Sequence, residues 1–545
     1  MEKKTIIIGI ILTILFLFIG LATLRDYGLT WDFHFHFFSG ANFFGLKPAD
    51  VEPRALPYVE PDPRNAIRLP YGPFVQIVPF ASWLLFYKNL NILPYDVAYN
   101  LPIVIAGVLG ISVLYFFLAE AINWRVGLVA ALFLALTPRY FADLHNNMKD
   151  VPLAAVFALN IWMLWRLVKY RPASPELQRG GRLKNLILAS LAFALAFNTK
   201  INSIFIPAIF ACWLIVLRTK KSKFELLYFL FAPAAAFLLW WFFWGDPIGQ
   251  LKLAVSTFGG GADNIEVLLG GKWFCAGSTV PWYYPYWYLA ITTPLPILAF
   301  FLIGLMRLIS QIRKNKVGLL LLLWFFLPLT RYLLPKIAVI DGVRHFEEVL
   351  YPLAAIAAIG FMQTIEFILK NTQISKKIRA VFTAILFSLV ISHMSYIIFS
   401  YHPFQIAYYN ELVGGTRGAF GNYDLDYWGS SQKKAVEWLN TNAEKNASVF
   451  IVMAGNVGGM YLRPDLLTHL NTQSYETSDY VIVLNRQSFF YRFFFVFDYI
   501  LTHKPVHTVS VNGAPLVWIF DNRLPKIPRQ TPWWKGEDPC IRKYW

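Results

Sequence analysis

The segment DLHNNMKDVP (143–152) places one His, two Asn, one Lys and two Asp between two strongly apolar runs. The run before it is VGLVAALFLALTP (126–138), and the run after it is LAAVFALNIWMLW (153–165). Apolar runs of this kind are typical of membrane helices, whereas unpaired polar groups are costly to bury in a bilayer. The pattern therefore predicts two membrane helices whose polar connection has a function at one face of the membrane.

The composition of the whole chain agrees with this interpretation. The 545 residues are 57% hydrophobic and only 15% charged, and the mean hydropathy is +0.47. A soluble globular chain carries about 25% charged residues. The formal net charge of +17 would suit nucleic acid, but most Lys and Arg lie in short clusters between apolar runs, as in cytoplasmic loops. We therefore predict a polytopic α-helical membrane protein without a nucleic-acid partner.

The apolar runs predict about eleven transmembrane helices. MEKK and the run that follows it are interpreted as a retained cytoplasmic-side anchor, because the run is long enough to span and lacks a small-residue cleavage site. The predicted spans are 5–24, 98–119, 126–141, 151–168, 185–199, 203–217, 224–244, 286–308, 317–334, 348–369 and 379–400.

The positions of Lys and Arg predict the orientation. Clusters such as RTKKSK (218–223) and RLISQIRKNK (307–316) alternate with connections of low positive charge, so the N-terminus and the basic clusters are assigned to the cytoplasm. One more crossing by FVQIVPFASWLLFY (74–87) would break this alternation. That segment is therefore predicted to be an interfacial or re-entrant helix within a long first external loop, 25–97.

From His402 onwards the composition changes, which predicts a membrane domain, 1–401, and an extracytoplasmic α/β domain, 402–545. SSQKKAVEWLNTNAE (430–444) has the pattern of an amphipathic helix. ASVFIVMAG (447–455) and DYVIVLN (479–485) have that of short buried strands, and VHTVSVNGAPLVWIFDN (506–522) that of a hairpin across Asn-Gly. The sequence leaves open whether Cys275 and Cys540 form a disulfide or remain free thiols.

Four polar clusters at predicted helix ends share the outer side. Each has a structural alternative: a helix cap, a solvated ion pair, a lysine reaching the headgroups, or nonspecific lipid contact. Their recurrence on one face favours a common site. The clusters are Asp32, His34 and His36; His145, Asn146, Asn147, Lys149 and Asp150; Asn198, Lys200 and Asn202; and Asp341, Arg344, His345 and Glu347.

This set of side chains suits transfer of a group from a phosphate to a hydroxyl. A carboxylate can accept the hydroxyl proton as general base. Lys, Arg and His can stabilise the negative charge that develops on a phosphate leaving group, and Asn suits sugar hydroxyls. If a divalent ion acts as Lewis acid instead, Asp and His are the available ligands.

At these clusters the chain resembles a known family. It is similar to the dolichyl-phosphate-mannose protein mannosyltransferase-like branch of the GT-C membrane glycosyltransferases, also called glycosyltransferase family 39 or aminoarabinose-transferase-like. The segments that carry the resemblance span most of the chain, in order. They are LTWD (29–32), RLPYGP (68–73), TPRYFADLHNNMKDVP (137–152), NTKIN (198–202), PWYYPYWYLAITTPLP (281–296), DGVRHFEEVLYP (341–352) and YYNELVGGTRGAFGNYDLDYWGSSQKKAVEWL (408–439).

The resemblance implies a polyprenyl- or dolichyl-phosphate sugar donor that enters from the bilayer, and inverting transfer on the outer face. It implies that Asp32 is the general base and that Asp150 is a second acidic residue that organises the site. The candidate ligands of the donor phosphate and substrate are Lys149, Arg344, His345, Lys200, His145 and Asn147.

Relatives often have Asp-Glu in the first loop, whereas Phe33 follows Asp32 here. This departure weakens the case for a metal at the loop, so metal dependence stays open, with Asp32, His34 and Asp150 as candidate ligands. The predicted partners are the lipid-linked sugar, the bilayer, and an acceptor protein, lipid or glycan. The predicted location is the plasma membrane. Neither the sugar nor the acceptor follows from the sequence.

A secondary transporter or lipid flippase is the main alternative function. Such proteins are expected to have charged or broken helices near the middle of the bilayer and a repeat relating their two halves. In this sequence the polar residues gather at the ends of the apolar runs, and the sequence has no visible internal repeat. A third possibility is a non-catalytic subunit whose tail binds a partner. Both alternatives are less well supported than a glycosyltransferase.

Overall fold

In the computed structural model, the apolar segments of the chain form a bundle of helices. The structure describes residues 2–47, 51, 72–169, 175–217, 223–240, 245–249, 251–253, 264–334, 337–370, 375–534 and 540. Up to Tyr401 the helices are α1 Lys3–Thr23, α2 Phe33–Phe43, α3 Pro73–Trp83, α4 Tyr95–Ala121, α5 Trp124–Ala135, α6 Pro138–Asn146, α7 Asp150–Lys169, α8 Pro175–Phe197, α9 Phe205–Leu217, α10 Lys223–Leu239, α11 Tyr284–Thr292, α12 Leu295–Ser310, α13 Lys316–Leu329, α14 Leu350–Lys370 and α15 Lys376–Tyr401.

Each predicted span overlaps one of these helices, but a count of eleven crossings is not confirmed. Within the described residues, seven helices are long and apolar enough to cross a membrane, or up to eight if the bent pair α5 and α6 is one span. Helix α9 and the 3₁₀ turn directly before it form one apolar helix, Ile201–Leu217, which is shorter than these seven. The span predicted at 286–308 is interrupted between Thr292 and Leu295, where α12 begins after Pro294.

Several sequence features used for the predicted orientation lie outside the described residues. They include residues 170–174, 218–222 and 371–374, which are parts of the basic connections. Residues 68–71 of RLPYGP, a segment of the resemblance, lie outside the described residues as well. The orientation therefore stays a prediction.

The polar segment at 143–150 is largely helical. Helix α5 ends at Ala135, Pro138 begins α6, and the two helices meet at 69°. Proline favours the first turn of a helix because its missing N–H is unpaired there anyway. Helix α6 ends at Asn146, and the Oδ1 of its C-cap residue Asn147 accepts from the backbone N–H of Asp150 at 2.9 Å. This side chain closes the turn into α7, and every residue from 138 to 150 is buried. A solvated Lys149–Asp150 pair is therefore the wrong interpretation.

The first loop contains the helix expected after Gly72 and Pro73. At α3, the backbone N–H of Phe74 donates to Asn198 O at 3.3 Å. A Cβ on Gly72 would lie 1.7 Å from that carbonyl oxygen, so only glycine allows this close approach. The helix is thereby joined to the NTKIN turn. The helical backbone continues beyond α3 as a π-helical segment, Leu84–Asn89.

Two membrane helices meet through glycines on both sides. A Cβ added to Gly304 of α12 would lie 2.0 Å from Ile356 O, and one added to Gly360 of α14 would lie 1.9 Å from Phe300 O. Small residues let helix backbones approach closely in a bilayer, where van der Waals packing replaces the hydrophobic effect between helices.

The expected helix and strands of the tail are present. After α16 Gly415–Ala419 come α17 Gln432–Asn442, α18 Gly455–Gly459, α19 Pro464–Leu467 and α20 Phe495–Thr502. A hairpin of β1 Glu266–Leu269 and β2 Lys272–Cys275 precedes the tail in sequence, and β3 Val449–Ile451, β4 Tyr480–Leu484, β5 His507–Val511 and β6 Ala514–Asp521 form a four-stranded sheet in the order β3-β4-β6-β5.

The pairing within the sheet confirms the predicted hairpin. β3 is parallel to β4, whereas β6 is antiparallel to both β4 and β5. The turn between β5 and β6 has positive φ at Asn512 (48°) and Gly513 (77°), as a two-residue hairpin turn requires. Cys275 and Cys540 form a disulfide with a Cα–Cα distance of 5.3 Å, so the alternative of two free thiols is wrong for this structure.

Candidate active site

Five ionised side chains meet near one end of α7. Lys149 Nζ lies 2.5 Å from Asp32 Oδ2, and Lys200 Nζ lies 2.5 Å from Asp150 Oδ1. Arg344 connects the two pairs, because its Nη1 lies 3.4 Å from Asp32 and 3.9 Å from Asp150. We call these five residues the ion-pair cluster. It draws one or two members from each of the four polar clusters of the sequence.

Helix ends position these side chains. Asp32 is the N-cap residue of α2, while Lys149 and Asp150 lie at the start of α7. Lys200 precedes the 3₁₀ turn Ile201–Ile204, and Arg344 begins the 3₁₀ segment Arg344–Val349 that leads into α14. Breaks between helices thus bring residues far apart in sequence to one place.

Asp32 is the most accessible member of the cluster. Its side chain is 26% exposed, whereas Lys149 is 3%, Asp150 2%, Lys200 8% and Arg344 6% exposed. Both contacts of Asp32 use Oδ2, so Oδ1 has no hydrogen-bond partner among the described residues. The arrangement therefore presents one carboxylate outward over a buried layer of cations.

The neighbouring cations determine the charge of Asp32. Burial acts to raise the pKa of this carboxyl group, but Lys149 and then Arg344 outweigh burial and hold the pKa below its usual range. Asp32 is therefore ionised at neutral pH and can accept a proton.

The remaining predicted residues have other contacts. His145 lies apart, stacked on Tyr27 at 3.8 Å, with its ring nitrogens bonded to Thr23 Oγ1 and Phe141 O. Asn147 caps the turn and donates to Glu347 Oε2 at 3.3 Å.

His345 adjoins the cluster through its neighbour Arg344. Its backbone oxygen accepts from Asn202, while its buried side-chain Nε2 has no hydrogen-bond partner in the described structure.

The candidate metal ligands do not form a metal site. His34 Nδ1 faces Asn456 Nδ2 at 3.0 Å. Asp32 and Asp150 are each bonded to a lysine. Within the described ranges, no three His, Cys, Asp or Glu side chains are placed to hold a metal ion. These residues do not fit a divalent ion as they stand, so we assign no catalytic step to one.

Two residues of the tail reach the cluster from the far end of the sequence. The Arg344 guanidinium lies 4.8 Å from the ring centroid of Trp428. Arg486 Nη2 lies 2.8 Å from Asp341 Oδ1, and Asp341 Oδ2 in turn accepts from Arg344. The sequence did not single out Arg486 or Trp428 as site residues. Trp428 belongs to a polar-aromatic motif, YDLDYWG (423–429), but Arg486 carries no comparable signal.

Comparison with known families agrees with the predicted resemblance and with the fold. Residues 79–242 match the sequence profile of a family described as dolichyl-phosphate-mannose-protein mannosyltransferase. The predicted resemblance to these membrane glycosyltransferases is confirmed. The matched residues include Lys149, Asp150 and Lys200 but do not extend to Asp32 or Arg344. No curated protein sequence gives a significant match.

Solved structures resemble the chain over almost its full length. ArnT from Cupriavidus metallidurans in the apo state has a TM-score of 0.53 at 12% identity, covering 95% of this chain and 97% of ArnT. The same protein bound to undecaprenyl phosphate has a TM-score of 0.52 at 12% identity, covering 96% and 98%. The Archaeoglobus fulgidus oligosaccharyltransferase in the apo form has a TM-score of 0.48 at 12% identity, covering 86% of this chain and 65% of that one. The chain thus has the helical polytopic membrane fold of ArnT.

Proposed function

We propose that the protein transfers a sugar from a polyprenyl- or dolichyl-phosphate donor to an acceptor hydroxyl, with inversion at the anomeric carbon. The observation that carries this proposal is the ion-pair cluster, in which the partly exposed Asp32 carboxylate lies against Lys149 and Arg344. A base and a phosphate ligand are the two groups that the reaction needs. The family match, and the undecaprenyl phosphate bound to ArnT, support a lipid phosphate as leaving group.

In this reaction the Asp32 carboxylate and the cations of the ion-pair cluster have different roles. Asp32 takes the proton of the acceptor hydroxyl as the oxygen attacks the anomeric carbon. The bond between that carbon and the phosphate oxygen breaks, and the polyprenyl phosphate leaves with the electron pair. Lys149 and Arg344 stabilise the negative charge that develops on the leaving oxygen. Lys200, which pairs with Asp150, extends the positively charged side of the phosphate site. Burial and then the nearby Arg344 hold the pKa of His345 well below its usual range, so its neutral ring can offer the phosphate a hydrogen bond but no charge.

Donor binding also makes Asp32 a better base. In this structure the two cations nearest to Asp32, those of Lys149 and Arg344, both contact its Oδ2. A donor phosphate held by the same two cations competes for their charge and for their N–H groups. The carboxylate then loses part of the stabilisation that keeps its pKa low, so its affinity for a proton rises when the donor is in place.

Asp150 organises the site and does not act as the base, because its carboxylate is too buried for the acceptor to reach. Its Oδ1 is bonded to Lys200, its Oδ2 faces Arg344, and its side chain is almost wholly buried. It keeps two cations in place without competing with Asp32 for the hydroxyl proton.

The proposed orientation has eleven crossings in the plasma membrane, the N-terminus in the cytoplasm, and the site and the tail, 402–545, on the outer side. Asp150 and Arg166 lie at opposite ends of α7, about 24 Å apart at 1.5 Å per residue. Arg166 pairs with Glu120 at 2.6 Å, and Lys169 lies one turn further on. Basic residues gather on the cytoplasmic side of membrane proteins, which supports an outer location for the site.

The test is sugar transfer by the full chain in proteoliposomes supplied with a panel of polyprenyl-phosphate sugars. The measurement is release of polyprenyl phosphate, with a membrane extract as the acceptor source. The test variant is Asp32→Asn, which keeps the shape of the side chain and removes its charge. The matched control is Asp26→Asn in the same loop, because Asp26 is exposed and pairs with His402 outside the cluster.

We expect one donor to turn over, with a loss of about 100-fold or more in Asp32→Asn and little change in Asp26→Asn; general bases contribute about 10²–10⁴-fold. Donor turnover that is equal in the wild type and Asp32→Asn would refute the assignment of the base. Movement of intact lipid-linked sugar between leaflets without release of polyprenyl phosphate would instead identify a flippase.

A further inference from the structure

Arg344 is held by a carboxylate outside the ion-pair cluster. Its Nε and Nη2 lie 3.0 and 2.5 Å from Asp341 Oδ2. This contact uses one edge of the guanidinium group and leaves Nη1 directed at Asp32 and Asp150. Because the guanidinium is planar, the position of Asp341 sets the direction in which Nη1 points.

Asp341 is itself held by the tail. Its Oδ1 accepts from Arg486 Nη2 at 2.8 Å, and Arg486 Nη1 donates to Tyr427 O at 2.6 Å. The Arg486 guanidinium also lies 3.7 Å from the ring centroid of Phe489. Asp341 and Arg486 are both almost wholly buried. One carboxylate thus bridges two buried guanidinium groups, one from the tail and one from the site.

The backbone at Asp341 gives this bridge little freedom. Asp341 has φ of 56° and Gly342 has φ of 65°, which places both residues in the left-handed region. A Cβ on Gly342 would lie 2.9 Å from Arg139 Nη1, and the Gly342 N–H donates to Tyr284 OH at 2.9 Å. A turn of this kind persists only when its surroundings hold it, so Asp341 has little room to follow a displaced Arg344.

The tail makes a second contact with both parts of the site. The Trp428 ring lies against Arg344, and Trp428 O accepts from the N–H of Trp31, the residue before Asp32, at 2.9 Å. Asn456 Nδ2 adds a contact to His34 of α2. The tail therefore touches the cation of the site and the backbone that carries its carboxylate.

We propose that Arg486 is a positioning residue: through Asp341 it fixes the direction of Arg344, so that the tail completes the binding site for the donor phosphate. This inference rests on the proposed function, in which Arg344 holds that phosphate. Without Arg486, the Asp341 carboxylate would keep Arg344 as its only cationic partner and would draw its N–H groups away from the phosphate. A buried carboxylate that loses one of its two cationic partners is costly, and Asp341 offsets this cost by a stronger interaction with Arg344.

Equilibrium binding of polyprenyl phosphate to the full chain in lipid nanodiscs tests this role without requiring turnover. The main variant is Arg486→Gln. The matched control is Arg492→Gln. Arg492 follows on the same segment, lies 4.8 Å from the same Phe489 ring and pairs with Glu266 at 2.8 Å. It does not contact Asp341 in the described structure. We expect Arg486→Gln to weaken binding by about 10-fold, within the range of coupling between residues in contact, and Arg492→Gln to change it by less than about 2-fold.

A double-mutant cycle separates positioning from a general loss of structure. In the Arg344→Gln background the residue to be positioned is absent, so Arg486→Gln should change binding by less than about 2-fold. Arg486→Lys keeps the charge but cannot reach Asp341 and Tyr427 O together, so it should lose about 3-fold. If Arg486→Gln does not fold, as judged by its size-exclusion profile and melting temperature, the same double-mutant cycle is measured with Arg486→Lys instead.

Two results would overturn the inference in distinguishable ways. If Arg344→Gln weakens binding but Arg486→Gln does not, or if their effects simply add, the phosphate site stands and the positioning role is wrong. If Arg344→Gln binds polyprenyl phosphate as tightly as the wild type, the assigned role of Arg344 fails, and the inference fails with it.

Discussion

Replacement of Lys200 by Met should destabilise the protein more than the same replacement of Lys149. Both lysines are buried and both lie 2.5 Å from a carboxylate oxygen. The difference lies in the partners. Asp150, the partner of Lys200, is 2% exposed, whereas Asp32, the partner of Lys149, is 26% exposed. Lys200→Met therefore leaves a carboxylate without its nearest cation in a place that water does not reach.

The magnitude follows from the cost of a stranded charge. Removing one partner of a buried ion pair costs about 3–5 kcal/mol of folding free energy. Arg344 remains 3.9 Å from Asp150, which places the expected loss for Lys200→Met near the lower end, about 3 kcal/mol. Asp32 keeps Arg344 and has access to water, so Lys149→Met should cost about 1 kcal/mol or less. Adding Asp150→Asn to Lys200→Met removes the stranded charge and should recover at least about half of the loss.

The assay is reversible unfolding in mixed micelles, followed by tryptophan fluorescence, for the four proteins: wild type, both single variants and the double variant. The free energy of unfolding is compared at one micelle composition, so that the unfolded reference is the same. Equal losses in Lys200→Met and Lys149→Met would refute the reasoning, since burial of the partner would then not decide the cost. A double variant that is less stable than Lys200→Met would refute it as well.

Two further predictions follow from packing and from charge. Gly360→Ala should lower the free energy of unfolding by about 2 kcal/mol in the same assay, because the new Cβ would lie 1.9 Å from the Phe300 carbonyl oxygen and overpacking costs about 1–3 kcal/mol. The control is Gly180→Ala, which has open space around it. It should be neutral or stabilising by up to about 1 kcal/mol. The transfer rate at donor concentrations far below saturation should show no acid limb from Asp32 between about pH 5 and 7. This rate reports the enzyme without bound donor, in which the pKa of Asp32 lies below its ordinary value near 4 and the base form persists as the pH falls. A tenfold fall in rate per pH unit starting near pH 6 would contradict this assignment of the base.

Sequence patterns predicted the helices well because a membrane helix needs a continuous apolar run. Every predicted span overlaps a helix, and the Asn512–Gly513 turn was recognisable because those residues tolerate positive φ. The number of membrane crossings was harder to predict from the sequence. Hydropathy records whether a run is apolar but not whether it bends, and the break between α5 and α6 separates one apolar run into two helices at 69°.

The polar segment between α5 and α7 shows why burial could not be predicted there. A helix with Arg139, Asp143 and His145 would face water in a soluble protein, yet α6 is buried throughout. The tail is one cause, because Arg139 lies 4.8 Å from the ring centroid of Tyr409, some 270 residues later in the chain. No local pattern contains that contact. For the same reason Arg486 was not predicted, since its partner Asp341 is 145 residues away.

The sequence grouped the acidic residues of the site, but only the structure separates their roles. A carboxylate that accepts a proton from a substrate must be reachable by it, and a carboxylate that holds cations need not be. Asp32 meets the first condition, since it is partly exposed at the start of α2. Asp150 and Asp341 meet the second, since each is buried against the cations it holds. Arg344 contacts all three groups in the described structure. A change at Asp341 therefore reaches the donor phosphate through this guanidinium, which is why the effects of Arg344 and Arg486 on donor binding should not be additive.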